Sequence, residues 1–451
     1  MLRRIKQRAS DFANGSIVVF DLSNNRATRV VALAVADESD TYMLLTAARK
    51  AVAESAQNTV AALPVMVCLE DERLNERVAE ALVAASLAGC VDLPHFKSKA
   101  KAPQKLQTIA LFNIKTRIAG NRLLAEAAGN ELARRLTLMP GNTLTPALYR
   151  KEVTRLARQH GWQMTFYDIG QLKRRKAGAF LAVVQGSEER DAGIVKLRYR
   201  PAKPKGKPIA LVGKGLCFDT GGVNLKPARG MFNMHEDMEG SAVALGTLLA
   251  LTQLRVGFPI DCWLALAQNH IGPRAYKPND VVTASNGTTI EVVHTDAEGR
   301  MVLADTLAIA SKEKPRLIID YATLTGACIH ALGTRYSGIV TNRDDYHAPL
   351  IEAGRHSGER VWTFPNDKDF DDALESTIAD IKQCTLEGEA DHILAARFLQ
   401  RFIDAAIPWV HIDLGAGRNR GGLGHIPTDV TGFGVRYTLE LLLGRHLEKT
   451  A

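Results

Sequence analysis

Thr289-Ile290-Glu291-Val292-Val293-His294-Thr295-Asp296-Ala297-Glu298-Gly299-Arg300, continued by Met301-Val302-Leu303-Ala304-Asp305-Thr306-Leu307-Ala308, passes from a strand-like run into a helical one. The β-branched residues of 289–293 suit a strand, and 301–308 carries apolar side chains at helical spacing. A strand feeding a helix is the repeating unit of an α/β fold. Acids at such a turn, beside a helix N-terminus, suit a ligand site. Asp296, Glu298 and Arg300 stand at alternate positions, so an extended segment would aim all three into one cleft. The same letters also read as a capped helix start, with Thr295 or Asp296 as N-cap and Glu298 completing a capping box.

Outward from this stretch, the same alternation continues. Downstream of 208, strand patterns at 208–213, 259–268, 316–322, 337–341 and 408–414 alternate with helical ones near 237–255, 297–313, 389–406 and 434–446. The expected class is α/β, with a mostly parallel, helix-flanked sheet that gathers ligands at the carboxyl ends of its strands. Residues 1–115 read as a smaller N-terminal α/β domain, with strands at 16–20, 29–35 and 64–69 and helices at 41–55 and 72–88. Residues 116–137 read as a connecting helix, stopped by Pro140-Gly141, and 138–451 as the larger C-terminal unit, opening with a helix near 146–159.

Composition sets bounds. Of the 451 residues, 46% are hydrophobic and 24% charged, an ordinary globular balance able to bury a large core. No run approaches the length of a membrane span, and the basic start Met1–Arg8 lacks the apolar core of a signal peptide, so a cytoplasmic location is expected. Six cysteines scattered singly, at 68, 90, 217, 262, 328 and 384, fit reduced thiols rather than a zinc-finger or disulfide framework. The net charge of +8 permits nucleic-acid contact without demanding it, and Lys97–Lys105 reads as a solvated basic loop.

A second cluster lies upstream. The apolar run Pro208–Gly213 leads into Lys214-Gly215-Leu216-Cys217-Phe218-Asp219-Thr220-Gly221-Gly222, Lys226 follows, and Met234-His235-Glu236-Asp237-Met238-Glu239-Gly240 opens an apolar helix. Singly these are a surface lysine, a turn former and an N-cap. Together, four acids and two lysines at strand ends and helix starts point to a charged ligand.

Here the chain resembles the leucyl aminopeptidase (cytosol aminopeptidase) family of dinuclear metallo-exopeptidases. The family's Asn-Thr-Asp-Ala-Glu-Gly-Arg signature appears as His294–Arg300, its Gly-Lys-Gly-Leu-x-Phe-Asp-x-Gly-Gly segment as Gly213–Gly222, its Ala-Thr-Leu-Thr-Gly-Ala loop as Ala322–Ala327, and its Pro-Trp-x-His-x-Asp motif as Pro408–Asp413. The similarity spans about 138–451.

The resemblance implies two divalent ions, Zn²⁺, Mn²⁺ or Mg²⁺. Asp219 and Glu298 would touch both, Asp296 one, and Lys214 and Asp237 the other, Lys214 as the neutral amine. It implies attack of a metal-bridging water on the peptide carbonyl, oxyanion stabilisation by Lys226, and a small anion, bicarbonate, held on Arg300 to carry the proton. Thr323, Leu324 and Gly326 would line the substrate, and Met234 would wall the first side-chain pocket. Peptide substrates and a homo-hexamer are implied as partners. Two residues depart from the pattern. His294 replaces Asn beside the substrate amine, which would alter specificity. Glu239 replaces a small residue, and would either tighten metal binding or face solvent. His411 and Asp413 fall outside the family's ligand set, so packing is expected of them, and Asp391-His392 reads as a helix cap. Two other readings compete: a DNA-binding protein on a peptidase fold, whose binding would weaken steeply with salt, and a metal-binding protein without catalysis, expected to lack Lys226 or Arg300.

Overall fold

The structure, a computed structural model, describes residues 15–25, 28–55, 62–99, 106–114 and 118–447. The basic start Met1–Arg8, residues 100–105 of the basic loop, and the first expected positions of the connecting helix up to 117 lie outside them.

Fifteen strands are present among the described residues: β1 (Ile17–Asp21), β2 (Arg29–Leu33), β3 (Ala62–Met66), β4 (Thr108–Phe112), β5 (Gln163–Asp168), β6 (Gly193–Tyr199), β7 (Ile209–Asp219), β8 (Ile260–Asn269), β9 (Val281–Thr283), β10 (Thr289–Glu291), β11 (Leu317–Ala322), β12 (Ser337–Thr341), β13 (Val361–Thr363), β14 (Ile381–Lys382) and β15 (Trp409–Asp413). Eight build the central sheet in the order β13-β12-β15-β11-β7-β8-β6-β5. Its centre, β15-β11-β7-β8, is parallel, and antiparallel pairs join β12 to β15, β8 to β6 and β6 to β5. β7, β8 and β11 are buried along almost their whole length, as strands covered by helices on both faces must be.

Near the N-terminus, β1 and β2 form an antiparallel pair, and β3 and β4 a parallel one. Helices Thr41–Ser55 and Glu72–Gly89 pack with them around a small core of their own. This unit is tied to the main body by polar contacts. The Arg134 guanidinium donates to Ala88 O at 3.1 Å, and that of Arg360 lies 3.6 Å from the Tyr42 ring centroid.

Two expectations are corrected. The strand foreseen at 208–213 runs on to Asp219, so Lys214 lies inside it and Asp219 ends it, after a register irregularity beyond Leu216. Gly213 and Gly215, inside this strand, serve close packing. A Cβ on Gly213 would collide with the Ser241 Cα and the Gly240 carbonyl of the helix Glu239–Gln253. The strand ahead of the acidic stretch is also shorter than 289–293: β10 holds three residues and belongs to a separate sheet, β14-β10-β9.

The helix Glu239–Gln253 is buried from Glu239 through Leu251, against the sheet on one side and the helix Gly120–Thr137 on the other. Gly240 sits where the helix meets β11, and a Cβ there would overlap the Tyr321 carbonyl oxygen. Gly240→Ala is therefore expected to destabilise the protein by about 1–3 kcal/mol, as an overpacked core does. A fall in the denaturant midpoint of the purified variant checks this, and an unchanged midpoint would show that the helix can retreat freely.

Candidate active site

The carboxyl ends of β7, β11 and β15 converge on one cleft of ≈ 660 Å³. All twelve residues singled out in the sequence line it: Lys214, Asp219, Lys226, Met234, Asp237, His294, Asp296, Glu298, Arg300, Thr323, Leu324 and Gly326.

The acidic centre is built from four loops and strand ends. Asp219 closes β7, and its Oδ1 accepts from Gly221 N and from Asn269 Nδ2 of β8, both at 2.8 Å. Glu298 opens the helix Glu298–Ser311. The residue before it, Ala297, makes no side-chain cap, so the capping-box reading fails. Thr295, the other candidate cap, is pinned elsewhere: its hydroxyl donates to Gly221 O at 2.6 Å, and its carbonyl accepts from Tyr276 OH at 2.7 Å. The helix after Asp237 likewise starts at Glu239 and is not capped by it. Instead Asp237 Oδ1 accepts from Lys214 Nζ at 2.8 Å and from Thr323 Oγ1 at 2.9 Å. Among the described residues, carboxylate oxygens of Asp219, Asp296 and Glu298 lie within 4.8 Å of one another, a grouping able to hold a metal ion.

Charge explains the arrangement. Lys226 Nζ bridges Asp219 Oδ2 (2.9 Å) and Asp296 Oδ1 (2.5 Å), while Lys214 Nζ reaches Glu298 Oε1 (3.3 Å) as well as Asp237. Two ammoniums face four carboxylates in a buried space. Burial, then the neighbouring Asp219 charge, push Glu298 well above the usual carboxylate range, and Asp296 rises for the same two reasons. Burial raises Asp237 against the pull of Lys214. Burial alone would lower both lysines, but the surrounding carboxylates outweigh it and hold each ammonium above its ordinary value. Asp237 Oδ2 and Glu298 Oε2 are buried and find no hydrogen-bond partner. Orphaned carboxylate oxygens beside surplus negative charge are what divalent cations satisfy. The residues fit such ions, and Lys214 would have to surrender its proton to join them.

Around this centre, the loop after β11 is held by β15. Asp413 accepts from Leu324 N at 3.0 Å and from Thr325 Oγ1 at 2.7 Å, while His411 Nδ1 lies 2.6 Å from Asp320 Oδ1, deep in the sheet. His411 is buried within the sheet, and Asp413 also borders the cleft. Glu239 does not face solvent. It is 2% exposed, and burial, with the Glu236 charge, pushes its carboxyl up to about 8. His294 flanks the cleft, its Nδ1 accepting from Asp296 N at 3.3 Å.

Asp391 departs from its expected role. The helix Asp391–Gln400 has no side-chain cap, and both Asp391 oxygens lie 2.8 Å from Arg300 Nη2. Gln383 carried no signal in the sequence, yet it staples the signature loop. Its Oε1 accepts from Val293 N and His294 N, its Nε2 donates to Ala297 O, and its carbonyl receives Arg300 Nη1. Asn269 and Tyr276, also unforeseen, fix Asp219 and Thr295 from neighbouring strands and loops.

Comparison with known proteins agrees with this geometry. Residues 131–439 match the cytosol aminopeptidase family, catalytic domain. A probable cytosol aminopeptidase of Synechococcus sp. (strain WH7803) is 43% identical over 312 residues, 68% of this chain and 63% of that protein, so the match spans just under two thirds of the relative's length. One from Prochlorococcus marinus (strain MIT 9313) is 36% identical over 448 residues, covering 97% of this chain and 90% of the relative. Among solved structures, the bottromycin maturation enzyme BotP in complex with Mn superposes with a TM-score of 0.88 at 31% identity, covering 98% of this chain and 96% of the other. A mutant of tomato leucine aminopeptidase gives 0.87 at 28%, covering 98% and 86%.

Proposed function

This chain belongs to the cytosol aminopeptidase family, and we propose that it is a two-metal aminopeptidase releasing the N-terminal residue of peptides. The observation that carries this reading is the cluster of Asp219, Asp296 and Glu298 with the lysines Lys214 and Lys226 among them. Asp219 and Glu298 would hold both ions, Asp296 one, and Lys214 with Asp237 the other. Bound there, the ions would supply Lewis acidity and an activated water.

The chain's own side chains do the rest. Lys226, released from its carboxylates when cations take them, turns its ammonium to the oxyanion that develops on the carbonyl. Thr323, Leu324 and Gly326 align the substrate backbone on a loop that Asp413 keeps in place. Met234 walls the pocket for the first side chain, with His294 at the free amine. The resemblance places bicarbonate on Arg300, where the Asp391 carboxylate is already seated.

Mn²⁺ is favoured by the BotP complex, and Zn²⁺ and Mg²⁺ suit the same donors. The same reading includes a homo-hexamer in the cytoplasm. No helix among the described residues is long and apolar enough to cross a membrane. We take residues 1–115 as a separate N-terminal domain, 116–137 as its connector and 138–451 as the catalytic domain.

Metal-stripped protein is expected to leave aminoacyl-arylamides intact, and to cleave them once Mn²⁺ or Zn²⁺ is restored. Asp296→Ala and N-blocked substrates should stay inert. Full activity without metal, or equal cleavage of blocked substrates, would defeat the proposal.

A further inference from the structure

Arg300 is 2% exposed and stands two positions after Glu298. A buried guanidinium needs a counter-charge. Its Nη2 lies 2.8 Å from both oxygens of Asp391, while Nη1 donates to the Gln383 carbonyl at 3.1 Å. Asp391 is the acidic partner that the structure gives Arg300, and it lines the same cleft as Lys226, Asp296 and Glu298. Its side chain keeps 23% exposure, so it is open to the space where substrate would lie. Asp391 is also the first residue of the helix Asp391–Gln400, whose N-terminal dipole adds to the hold on its charge.

A free bicarbonate would compete with this carboxylate for Nη2 of Arg300, whose Nε is buried and has no hydrogen-bond partner. It would have to displace a tethered anion of the same charge, whose effective concentration on the guanidinium far exceeds that of a dissolved one. We propose that Asp391 is the built-in anion of Arg300, so that hydrolysis by this chain proceeds without bicarbonate. The inference rests on the aminopeptidase reading above and adds a residue to it. In the relay, the Asp391 carboxylate takes one proton from the attacking water as its oxygen bonds to the peptide carbon. Asp391 then returns that proton to the leaving nitrogen as the C–N bond breaks. It ends ionised on Arg300, as it began.

The test uses the full-length, Mn²⁺-loaded protein and an aminoacyl-arylamide in CO₂-free buffer, with and without millimolar bicarbonate. The wild type is expected to respond by less than about two-fold, the scale of a general ionic effect. Asp391→Ala is expected to lose roughly 10²-fold in kcat, the scale of a proton-transfer group, with little change in KM. Bicarbonate, entering the vacated place, should then restore much of that loss. Asp391→Asn keeps the shape but carries no charge, so it should be slow and not rescued. It also guards against misfolding of the alanine variant, and thermal unfolding of both is measured alongside. Calorimetric titration with bicarbonate should give heat with Asp391→Ala and none with the wild type.

A several-fold stimulation of the wild type by bicarbonate would overturn the proposal. So would an alanine variant that is fully active without bicarbonate, or one that is slow and not rescued. A wild type that cleaves nothing with any metal is a different result, and defeats the aminopeptidase reading instead.

Discussion

Glu298→Ala is expected to lower kcat/KM by well over the roughly 100-fold that loss of an outer partner of a metal ligand costs, and to shed bound metal. Glu298 is 1% exposed, its Oε1 is 3.3 Å from Lys214 Nζ, and its Oε2 has no partner. In the metal-free protein this carboxyl is a burden, because burial and Asp219 both favour its protonated form. Its proton is bound more tightly folded than unfolded. The metal-free fold therefore loses stability as pH rises from the unfolded carboxylate's value toward the raised one. Alanine removes that penalty. The metal-free variant should accordingly unfold no earlier than the metal-free wild type at neutral pH, while the extra stability gained on adding Mn²⁺ shrinks. Elemental analysis, thermal unfolding with and without metal, and kcat/KM together separate the outcomes. A variant that keeps both ions would remove Glu298 from the ligand set.

Lys226→Ala is the second large effect, expected at about 10²–10³-fold in kcat, as for loss of an oxyanion donor. Its ammonium is held between Asp219 and Asp296 and is 16% exposed, at the open side of the acidic centre. Because it is not assigned as a ligand, the metal content should be unchanged and KM should move much less than kcat. If the variant instead lost metal in proportion to activity, Lys226 would be organising the carboxylates and not meeting the substrate.

Much of the site is legible in the sequence because its chemistry is local. Asp296, Glu298 and Arg300 lie within one turn of chain, and Lys214 and Asp219 within one strand. Each short stretch therefore carries its own charge pattern into the cleft. The main strands β8, β11, β12 and β15 are legible for a different reason, since strands covered on both faces need continuous apolar runs. What escaped detection depends on distant partners. Asp391 in first helical position looks like any cap, and only folding brings it to Arg300, 91 residues earlier. Gln383 is a lone polar residue whose five bonds all go to atoms over 80 positions away. β5 and β6 pair antiparallel at the sheet's edge and mix polar with apolar residues, so they lack the signal of the central strands. The far end of β7 was hidden by its glycines, which relieve crowding against a helix that the sequence does not show to be adjacent.

The anchoring of the loop after β11 by Asp413 has a consequence for biosynthesis. Every candidate metal ligand lies between Lys214 and Glu298, but Asp413 leaves the ribosome more than a hundred residues after Glu298. At about 5–20 residues per second, that is a lag on the order of ten seconds. During it, β11 lacks its neighbour β15, and Leu324 and Thr325 lack the carboxylate that orients their N–H groups. The loop after β11 is thus completed only when β15, made last, has entered the sheet beside it.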